Sequence, residues 1–518
     1  MMKKIAKIAQ DLGAKFDLYG ENIAKLKLCP GNKNGQLVLV SAMTSNASGI
    51  GKTTISIGLA DALNMIGKDV LLALREPSMG PVFGIKGGAT GGGKSSLFPS
   101  DEINLHFTGD FHAISQANNL LVSILDNHIF HGNTLNIDTK KIFVKRCLDI
   151  NDRSLRQVSY KIGDEEITTG FNITAASEVM AICTLSNDLA DLKKNLGDIL
   201  VALDKSGNPI FARDLKAEEA MAILLKDAIR PNLVQTLSGT PALVHLGPFA
   251  NIAHGASSIT SINFALSHAE YVITEAGFGS DLGGEKFLDI VTRKLDKTPA
   301  VVVLVVTLAV VKQHGNGDLE SGFENVKKHI QNLREVFKVN TIVAINRHSN
   351  DDESEISKLF ELCGEGTVIC DPYDKGGEGC LELAQKVLGQ KNVGYLQRTF
   401  EMSDDIKTKI EKIATKVYGA GKVSYSELAE EKIALAKRLG FDNFFVNIAK
   451  TQFSFSQNKN LLGAPKGFEF NITDIEIRAG AKMIVAIAGN MLLMPGLGKH
   501  STFENMKIYE NGIIEGLF

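Results

Sequence analysis

Short apolar runs separated by polar loops and amphipathic helical segments recur along the whole chain. Near the start, residues 36–40 (QLVLV) form an apolar run of strand length, and residues 41–51 are rich in Ser, Gly and Asn. Residues 52–66 then have helical periodicity, and residues 69–74 are again apolar. This order predicts a βαβ unit whose two parallel strands end at the same edge of a sheet, where open α/β sheets bind their ligands.

The alternation of strands and helices continues through the middle of the chain and returns near its end. Further strands are predicted at residues 242–245, 271–274, 300–307, 341–346, 367–370, 444–449 and 483–487, and helices near 319–337, 353–363, 377–389 and 424–439. A chain of 518 residues is too long for one ordinary core. The fold class is therefore predicted to be α/β, with a large domain on a parallel sheet (residues 1–290) and two smaller α/β domains (residues 291–400 and 401–518).

The loop between the first predicted strand and helix has the composition of a triphosphate site (NASGIGKTT, residues 46–54). Its glycines let backbone N–H groups converge on phosphate oxygens, while Lys52 supplies positive charge and Thr53 a hydroxyl for Mg²⁺. The strict motif has glycine where Asn46 stands, so an ordinary glycine turn is the alternative, but the flanking strand and helix favour a P-loop NTPase-like domain. The predicted nucleotide-binding residues are Asn46, Ala47, Ser48, Gly49, Ile50, Gly51, Lys52 and Thr53. These residues leave the choice between ATP and GTP open.

Arg75 comes directly after the second strand of the βαβ unit, beside the predicted phosphate loop. A guanidinium there offers a planar, bidentate contact to a carboxylate or a phosphoryl group, although most arginines are surface charges. The seven glycines of residues 80–93 (GPVFGIKGGATGGG) predict an extended loop beside the same edge, with a flexible surface excursion as the alternative.

Composition and charge restrict the kinds of binding partner and the cellular compartment that the sequence predicts. Lys and Arg total 56 against 59 Asp and Glu, so the net charge of −3 provides no basic field for nucleic acid or an anionic membrane. The apolar runs are shorter than the roughly 20 residues that a membrane span needs. The six cysteines form no CxxC pair, which predicts reduced thiols and a cytoplasmic protein.

Long strings beyond the phosphate loop are shared with one enzyme family. They are REPSMGPVFGIKGGATGGG (75–93), DEINLHFTGDFHAISQANNLL (101–121), LDINDRSLR (148–156), FNITAASEVMAI (171–182), KDAIRPNLVQTL (226–237), PFANIAHG (248–255), TEAGFGSDLGGEKF (274–287), KGGEG (375–379), AKTQFSFS (449–456) and MPGL (494–497). In these strings the chain resembles formate–tetrahydrofolate ligase, also called formyltetrahydrofolate synthetase. The resemblance implies ATP-dependent ligation of formate to tetrahydrofolate, giving 10-formyltetrahydrofolate, ADP and phosphate through formyl phosphate.

The resemblance also implies roles for individual residues. Lys52, Arg75, Glu76 and Asp110 are implied to be catalytic, with Arg75 holding formyl phosphate; Asp110, Phe278, His348 and Tyr373 are implied to bind folate, and Thr53 to bind Mg²⁺ through MgATP. The family has Trp at the Tyr373 position and Phe at the His348 position, so both rings that would stack on the pterin are smaller here.

Two other functions remain open from the residues alone. A P-loop switch ATPase shares this type of loop on the same βαβ unit, and it would turn over nucleotide without formate. A non-catalytic folate- or nucleotide-binding homologue would fit the altered aromatic residues. The resemblance further implies a homotetramer and a response to a monovalent cation, potassium or ammonium.

Overall fold

The computed structural model describes residues 2–45, 49–84, 88–390 and 395–517. Its strands are β1 (Phe16–Tyr19), β2 (Ile23–Leu26), β3 (Gln36–Ala42), β4 (Val70–Leu74), β5 (Gly91–Gly92), β6 (Ser95–Phe98), β7 (Ile137–Ile142), β8 (Arg146–Leu148), β9 (Val158–Ile162), β10 (Glu165–Thr169), β11 (Phe171–Ile173), β12 (Leu200–Asp204), β13 (Pro209–Phe211), β14 (Asn232–Thr236), β15 (Pro241–Val244), β16 (Tyr271–Glu275), β17 (Val301–Val306), β18 (Thr341–Asn346), β19 (Thr367–Cys370), β20 (Lys422–Tyr425), β21 (Phe445–Ala449), β22 (Glu469–Arg478), β23 (Met483–Ala488), β24 (Lys507–Ile508) and β25 (Ile514–Glu515).

The α-helices are α1 (Ile5–Asp11), α2 (Lys52–Met65), α3 (Met79–Phe83), α4 (Ser100–Asn104), α5 (Asp110–Phe130), α6 (Glu178–Leu185), α7 (Leu189–Gly197), α8 (Glu218–Leu225), α9 (Ile259–His268), α10 (Thr292–Leu295), α11 (Leu308–His314), α12 (Leu319–Gln331), α13 (Glu353–Cys363), α14 (Pro372–Lys375), α15 (Leu381–Leu388), α16 (Ile406–Ile413) and α17 (Glu427–Arg438). Short 3₁₀ and π segments extend several of them. None of the described helices has the length and apolar character that a membrane span requires.

The largest sheet of the described residues has twelve strands. Its main path runs β1-β2-β14-β15-β4-β16-β3-β17-β18-β19, and the seven strands from β15 to β19 along this path are all parallel. β17 (VVVLVV) is buried at every position, as expected for a parallel strand covered by helices on both faces. The predicted α/β fold with a large parallel sheet is confirmed.

The strands of the middle region continue the same sheet. The boundary expected near residue 290 falls between β16 and β17, and both of these strands pair with β3. Backbone hydrogen bonds therefore cross the boundary without a break. The division into three domains stays a prediction.

The C-terminal region has a sheet of its own, with strand order β20-β22-β23-β21. The loop after β21 packs against the large sheet, where the Lys450 ammonium lies 2.7 Å from the Asp281 carboxylate in a fully buried pair. The Ser45 hydroxyl, just before the phosphate loop, donates to the Gln452 carbonyl at 3.4 Å. Removing one partner of a buried ion pair is strongly destabilising, so this contact fixes the C-terminal region beside the carboxyl end of β3.

The glycine-rich segment is not an extended loop throughout, so that prediction was partly wrong. It contains α3 and the short strand β5, which pairs with β6. Glycine content alone did not reveal that the close approach of other segments requires these glycines. A Cβ atom on Gly91 would lie 2.3 Å from the Ser95 carbonyl oxygen, for example. Residues 85–87 lie outside the described part of the chain.

Candidate active site

The phosphate loop joins the end of β3 to the start of α2, as the sequence predicts. Gly49 and Gly51 have φ angles of 85° and 78°, in the left-handed region that favours glycine. Gly51 is the N-cap of α2 and Lys52 its first residue, so the positive end of this 14-residue helix faces the loop. The predicted contacts of Asn46, Ala47 and Ser48 lie outside the described residues.

Glu275 links the phosphate loop to Arg75. The Thr53 hydroxyl donates to one oxygen of the Glu275 carboxylate at 2.9 Å, and the Arg75 guanidinium lies 3.9 Å from the other. Arg75 also donates to the Pro248 carbonyl at 3.3 Å. Burial lowers the pKa of Arg75, and the negative charge of Glu275 opposes that shift. Glu275 is the last residue of β16, between β4 and β3, which is why it reaches both partners.

The surroundings of Arg75 are closely packed and contain two groups that the sequence analysis did not single out. A Cβ atom on Gly277 would lie 2.7 Å from the Ala250 Cβ atom and 2.9 Å from the Arg75 guanidinium, so a larger residue there would have to displace one of them. His254 is buried, and neither ring nitrogen has a hydrogen-bond partner among the described residues. Burial, with Lys286 and Arg75 adding to it, lowers the pKa of His254 to about 3, so the ring is neutral. Burial also lowers the pKa of Lys286 to about 7.

Glu76 follows Arg75 directly but faces a different set of charges, as expected for successive side chains at a strand end. Its carboxyl group is buried, and its pKa lies well above the usual value because of burial and the negative charges of Asp110 and Asp149, with Lys25 opposing them. The Oε2 atom has no hydrogen-bond partner in the described part of the chain. Burial and the neighbouring negative charges therefore favour the protonated form of Glu76.

Asp110 begins α5 and is held inside the fold. Lys25 donates to one carboxylate oxygen at 2.6 Å, and the Asn232 amide donates to the other at 2.8 Å. Both oxygens are thus engaged by protein groups, and each keeps a further lone pair that can accept a hydrogen bond. The folate contact predicted for Asp110 is not tested by these distances and stays a prediction. The sequence feature that points to this ion pair is Lys25, a lysine within the otherwise apolar strand β2.

The three ring residues predicted for folate follow the carboxyl ends of three strands. His348 comes two residues after β18, and Tyr373 three residues after the neighbouring β19. Phe278 follows β16, which is three strand spacings from β18, or about 14 Å. His348 and Tyr373 therefore share one part of the edge, whereas Phe278 belongs to the part that contains Glu275.

The Tyr373 ring packs against a glycine backbone and is otherwise largely exposed. A Cβ atom on Gly92 would lie 3.1 Å from the tyrosine ring, and one on Gly93 would lie 2.8 Å from it. The Lys94 N–H donates to the Tyr373 carbonyl at 2.9 Å. Because 55% of the residue is accessible, a flat ligand can stack on the part of the ring that this glycine backbone leaves uncovered.

The oxygen donors beside the loop suit a nucleotide-bound magnesium ion. No group of three or more His, Cys, Asp and Glu side chains is arranged to hold a metal within the described ranges. The Thr53 hydroxyl and the Glu275 carboxylate lie together at the loop. Mg²⁺ prefers oxygen ligands and usually completes its shell with substrate phosphates and water. The residues therefore fit Mg²⁺ that arrives largely coordinated by a nucleotide.

Residues 1–518, the whole chain, match the family model described as formate–tetrahydrofolate ligase. The chain belongs to the formate–tetrahydrofolate ligase family. The family resemblance predicted from the sequence is thereby confirmed, and the protein is an enzyme of the ligase class that joins formate to tetrahydrofolate. The alternatives of a switch ATPase and a non-catalytic binding protein do not describe this family.

Curated relatives match over nearly their full length. The formate–tetrahydrofolate ligase of Campylobacter curvus (strain 525.92) is 50% identical over 536 residues, covering 99% of this chain and 97% of the relative. The enzyme of Campylobacter concisus (strain 13826) is 49% identical over 538 residues, covering 100% and 98%.

A solved structure of a putative plasmid partition protein from Borrelia burgdorferi B31, bound to AMPPNP, is also similar to part of the chain. It is 11% identical and covers 69% of this chain and 98% of that chain. The TM-score of 0.23 is too low to support any conclusion about this protein.

Proposed function

We propose that this formate–tetrahydrofolate ligase works through formyl phosphate formed at the junction of the phosphate loop and Arg75. A formate oxygen attacks the γ-phosphorus of ATP, the bond between that phosphorus and the β,γ-bridging oxygen breaks, and ADP leaves. The N10 amine of tetrahydrofolate then attacks the formyl carbon. The bond from that carbon to the phosphate oxygen breaks, and the amine proton leaves with the phosphate.

The observation that carries this proposal is the chain of contacts from Thr53 through Glu275 to Arg75. It brings the hydroxyl at the start of the nucleotide-binding helix and the guanidinium to opposite oxygens of one carboxylate. A γ-phosphate held by the loop therefore lies next to the cation that would receive the acyl phosphate. In-line phosphoryl transfer requires this kind of positioning and charge neutralisation more than covalent catalysis.

The charges around Arg75 favour a small anion. Burial raises the pKa of Glu76 and lowers that of His254 to about 3, so in both cases it disfavours the charged form beside Arg75. Lys52 would add positive charge at the β- and γ-phosphates. Magnesium, bound through ATP with Thr53 and Glu275 nearby, would supply further charge neutralisation. Because the side chains of Arg75 and Glu275 are only 23% and 7% exposed, these interactions are stronger than in bulk solvent.

Tetrahydrofolate would bind at the neighbouring part of the edge, with its pterin on the exposed face of Tyr373 and beside His348. Phe278, which lies near Glu275, would then contact the part of the substrate that reaches the formyl group. We also propose the homotetramer and the response to a monovalent cation (potassium or ammonium) that the family resemblance implies, and the cytoplasmic location that the cysteine pattern predicts.

A single substitution tests the folate side. Replacing Tyr373 with tryptophan is expected to lower the KM for tetrahydrofolate about threefold, because the larger ring adds stacking area against the same glycine backbone. The chain contains no tryptophan, so the new indole is also a specific fluorescence reporter, and tetrahydrofolate should quench it.

Tyr19→Trp is the matched control, since Tyr19 is a similarly exposed tyrosine of β1. Its fluorescence should not respond to tetrahydrofolate. An unchanged KM together with unquenched fluorescence in Tyr373→Trp would remove Tyr373 from the folate site.

The proposed function is tested by assaying purified protein with each substrate omitted in turn. Formation of 10-formyltetrahydrofolate is expected only when MgATP, formate and tetrahydrofolate are all present. ADP release is expected to require formate, because formate is the proposed acceptor of the phosphoryl group. Steady ADP release that ignores formate would contradict the proposal.

A further inference from the structure

Asn346 contacts the phosphate loop from a strand that the nucleotide motif does not include. It is the last residue of β18, two strands away from β3, and is 3% exposed. Its side-chain amide donates to the Ile50 carbonyl at 3.1 Å. A Cβ atom on Gly51 would lie 2.4 Å from the same amide nitrogen, so the loop backbone rests directly on this side chain.

This hydrogen bond determines the orientation of one peptide plane in the loop. In a trans peptide the C=O and the N–H point to opposite sides. When Asn346 holds the Ile50 carbonyl on its own side, the Gly51 N–H is turned to the opposite side of the peptide, away from Asn346. Backbone N–H groups are the donors with which such loops bind phosphate oxygens.

Asn346 is held in place by the pairing of β18 with β19. Asn346 is paired with Cys370 of β19, and the next residue, Arg347, donates its N–H to the Cys370 carbonyl at 2.9 Å. The phosphate loop itself has glycines at two left-handed positions, and glycine permits many other backbone conformations. A fixed side chain on a paired strand can therefore select one of the conformations that the glycines allow.

We propose that Asn346 is a positioning residue for the nucleotide, which fixes the Ile50–Gly51 peptide so that the Gly51 N–H binds phosphate. The inference rests on the proposed function insofar as it takes the loop to bind ATP. Asn346 lies outside the phosphate loop, and in this proposal it orders the loop before the nucleotide binds. Preorganised donors bind more tightly because less ordering is left to occur on binding.

Two substitutions of Asn346 remove the hydrogen-bond donor of its side chain and keep the approximate size of that side chain. Asn346→Leu has a similar volume and no donor, and Asn346→Asp has the same outline with an acceptor that repels the Ile50 carbonyl. Asn340→Leu is the matched control. Asn340 stands just before the first residue of β18, and its amide likewise donates to a backbone carbonyl, that of Ala300, at 3.0 Å. Asn340 and Asn346 thus lie at opposite ends of one strand.

Titration calorimetry with MgADP and, separately, with tetrahydrofolate gives the decisive comparison. Both Asn346 variants are expected to bind MgADP about tenfold more weakly than the parent, as for a lost buried hydrogen bond. Tetrahydrofolate affinity of the nucleotide-free protein should stay within about twofold, and Asn340→Leu should leave both affinities unchanged.

The outcomes separate this inference from the proposed function. If the parent protein binds MgADP and the Asn346 variants bind it equally well, the inference is overturned and the proposed function stands. If Asn340→Leu weakens MgADP binding as much as Asn346→Leu, the effect belongs to the strand in general, and the inference is again overturned. A parent protein that does not bind MgADP would contradict the proposed function itself. Thermal melting of each variant shows whether Asn346→Leu folds, and Asn346→Asp provides the test if it does not.

Discussion

Arg75→Ala is expected to lower the rate of formyl transfer by about 10³-fold while leaving MgADP affinity within about twofold of the parent value. The guanidinium would hold the charge that develops on the acyl phosphate, and alanine leaves that charge uncompensated in a closely packed site. Nucleotide binding depends instead on the loop from Gly49 to Thr53 and on the helix that begins there. Steady-state kinetics and MgADP calorimetry measure the two effects separately.

Two further variants sharpen the Arg75 result. Arg75→Lys keeps the charge but not the planar, two-pronged donor, so an intermediate rate would show that geometry contributes beyond charge. Arg438→Ala is the control, because Arg438 is an exposed arginine at the end of α17 whose side chain donates to the Gly207 carbonyl at 2.9 Å. A parallel loss of MgADP affinity in Arg75→Ala would show that Arg75 serves the nucleotide rather than the acyl phosphate.

Glu275→Gln is expected to reduce kcat/KM by about 10²-fold for both ATP and formate. The neutral amide can still accept from the Thr53 hydroxyl, but it cannot balance the charge of the mostly buried Arg75. Both substrates should be affected because Glu275 contacts one residue of the phosphate loop and one residue of the proposed formyl site. Initial rates measured over a grid of ATP and formate concentrations give both constants.

Glu270→Gln is the matched control for Glu275. Glu270 is exposed and stands just before β16, at the opposite end of the strand from Glu275. Its substitution should leave both constants unchanged. If Glu275→Gln lowers the melting temperature but changes neither constant, Glu275 only supports the fold and the link between the two sites is wrong.

Much of the fold could be predicted because parallel strands leave a local signal. The β18 and β19 ranges match the predicted strands at both ends, and the α2 range differs from its prediction by one residue. These segments are apolar and bounded by glycine or polar residues, so their burial is encoded within a few neighbouring positions. The pairing of β17 with β3, which joins β17 to β19 to the first βαβ unit, is not encoded locally. The sequence therefore does not reveal that the sheet continues past the boundary expected near residue 290.

Site residues that lie within one short sequence motif could be predicted from the sequence. Site residues that come together from distant segments of the chain could not. The phosphate loop and Arg75 could be located from short strings. Glu275 could not, because its role depends on β16 lying between β3 and β4. Lys25 meets Asp110 across 85 positions of sequence, and a lysine within an apolar strand does not reveal its partner. The folate role of Asp110 is implied by the family pattern and stays a prediction, whereas its hydrogen bonds to Lys25 and Asn232 are visible only in the structure.

The most direct test of the account is to supply formate labelled with ¹⁸O in both oxygens and to analyse the phosphate released during complete turnover. If a formate oxygen attacks the γ-phosphorus, the carbon–oxygen bond that later breaks leaves that oxygen on phosphorus. Mass spectrometry should then find one ¹⁸O atom in each phosphate and one in each formyl product. Phosphate without ¹⁸O, formed together with 10-formyltetrahydrofolate, would contradict the formation of formyl phosphate.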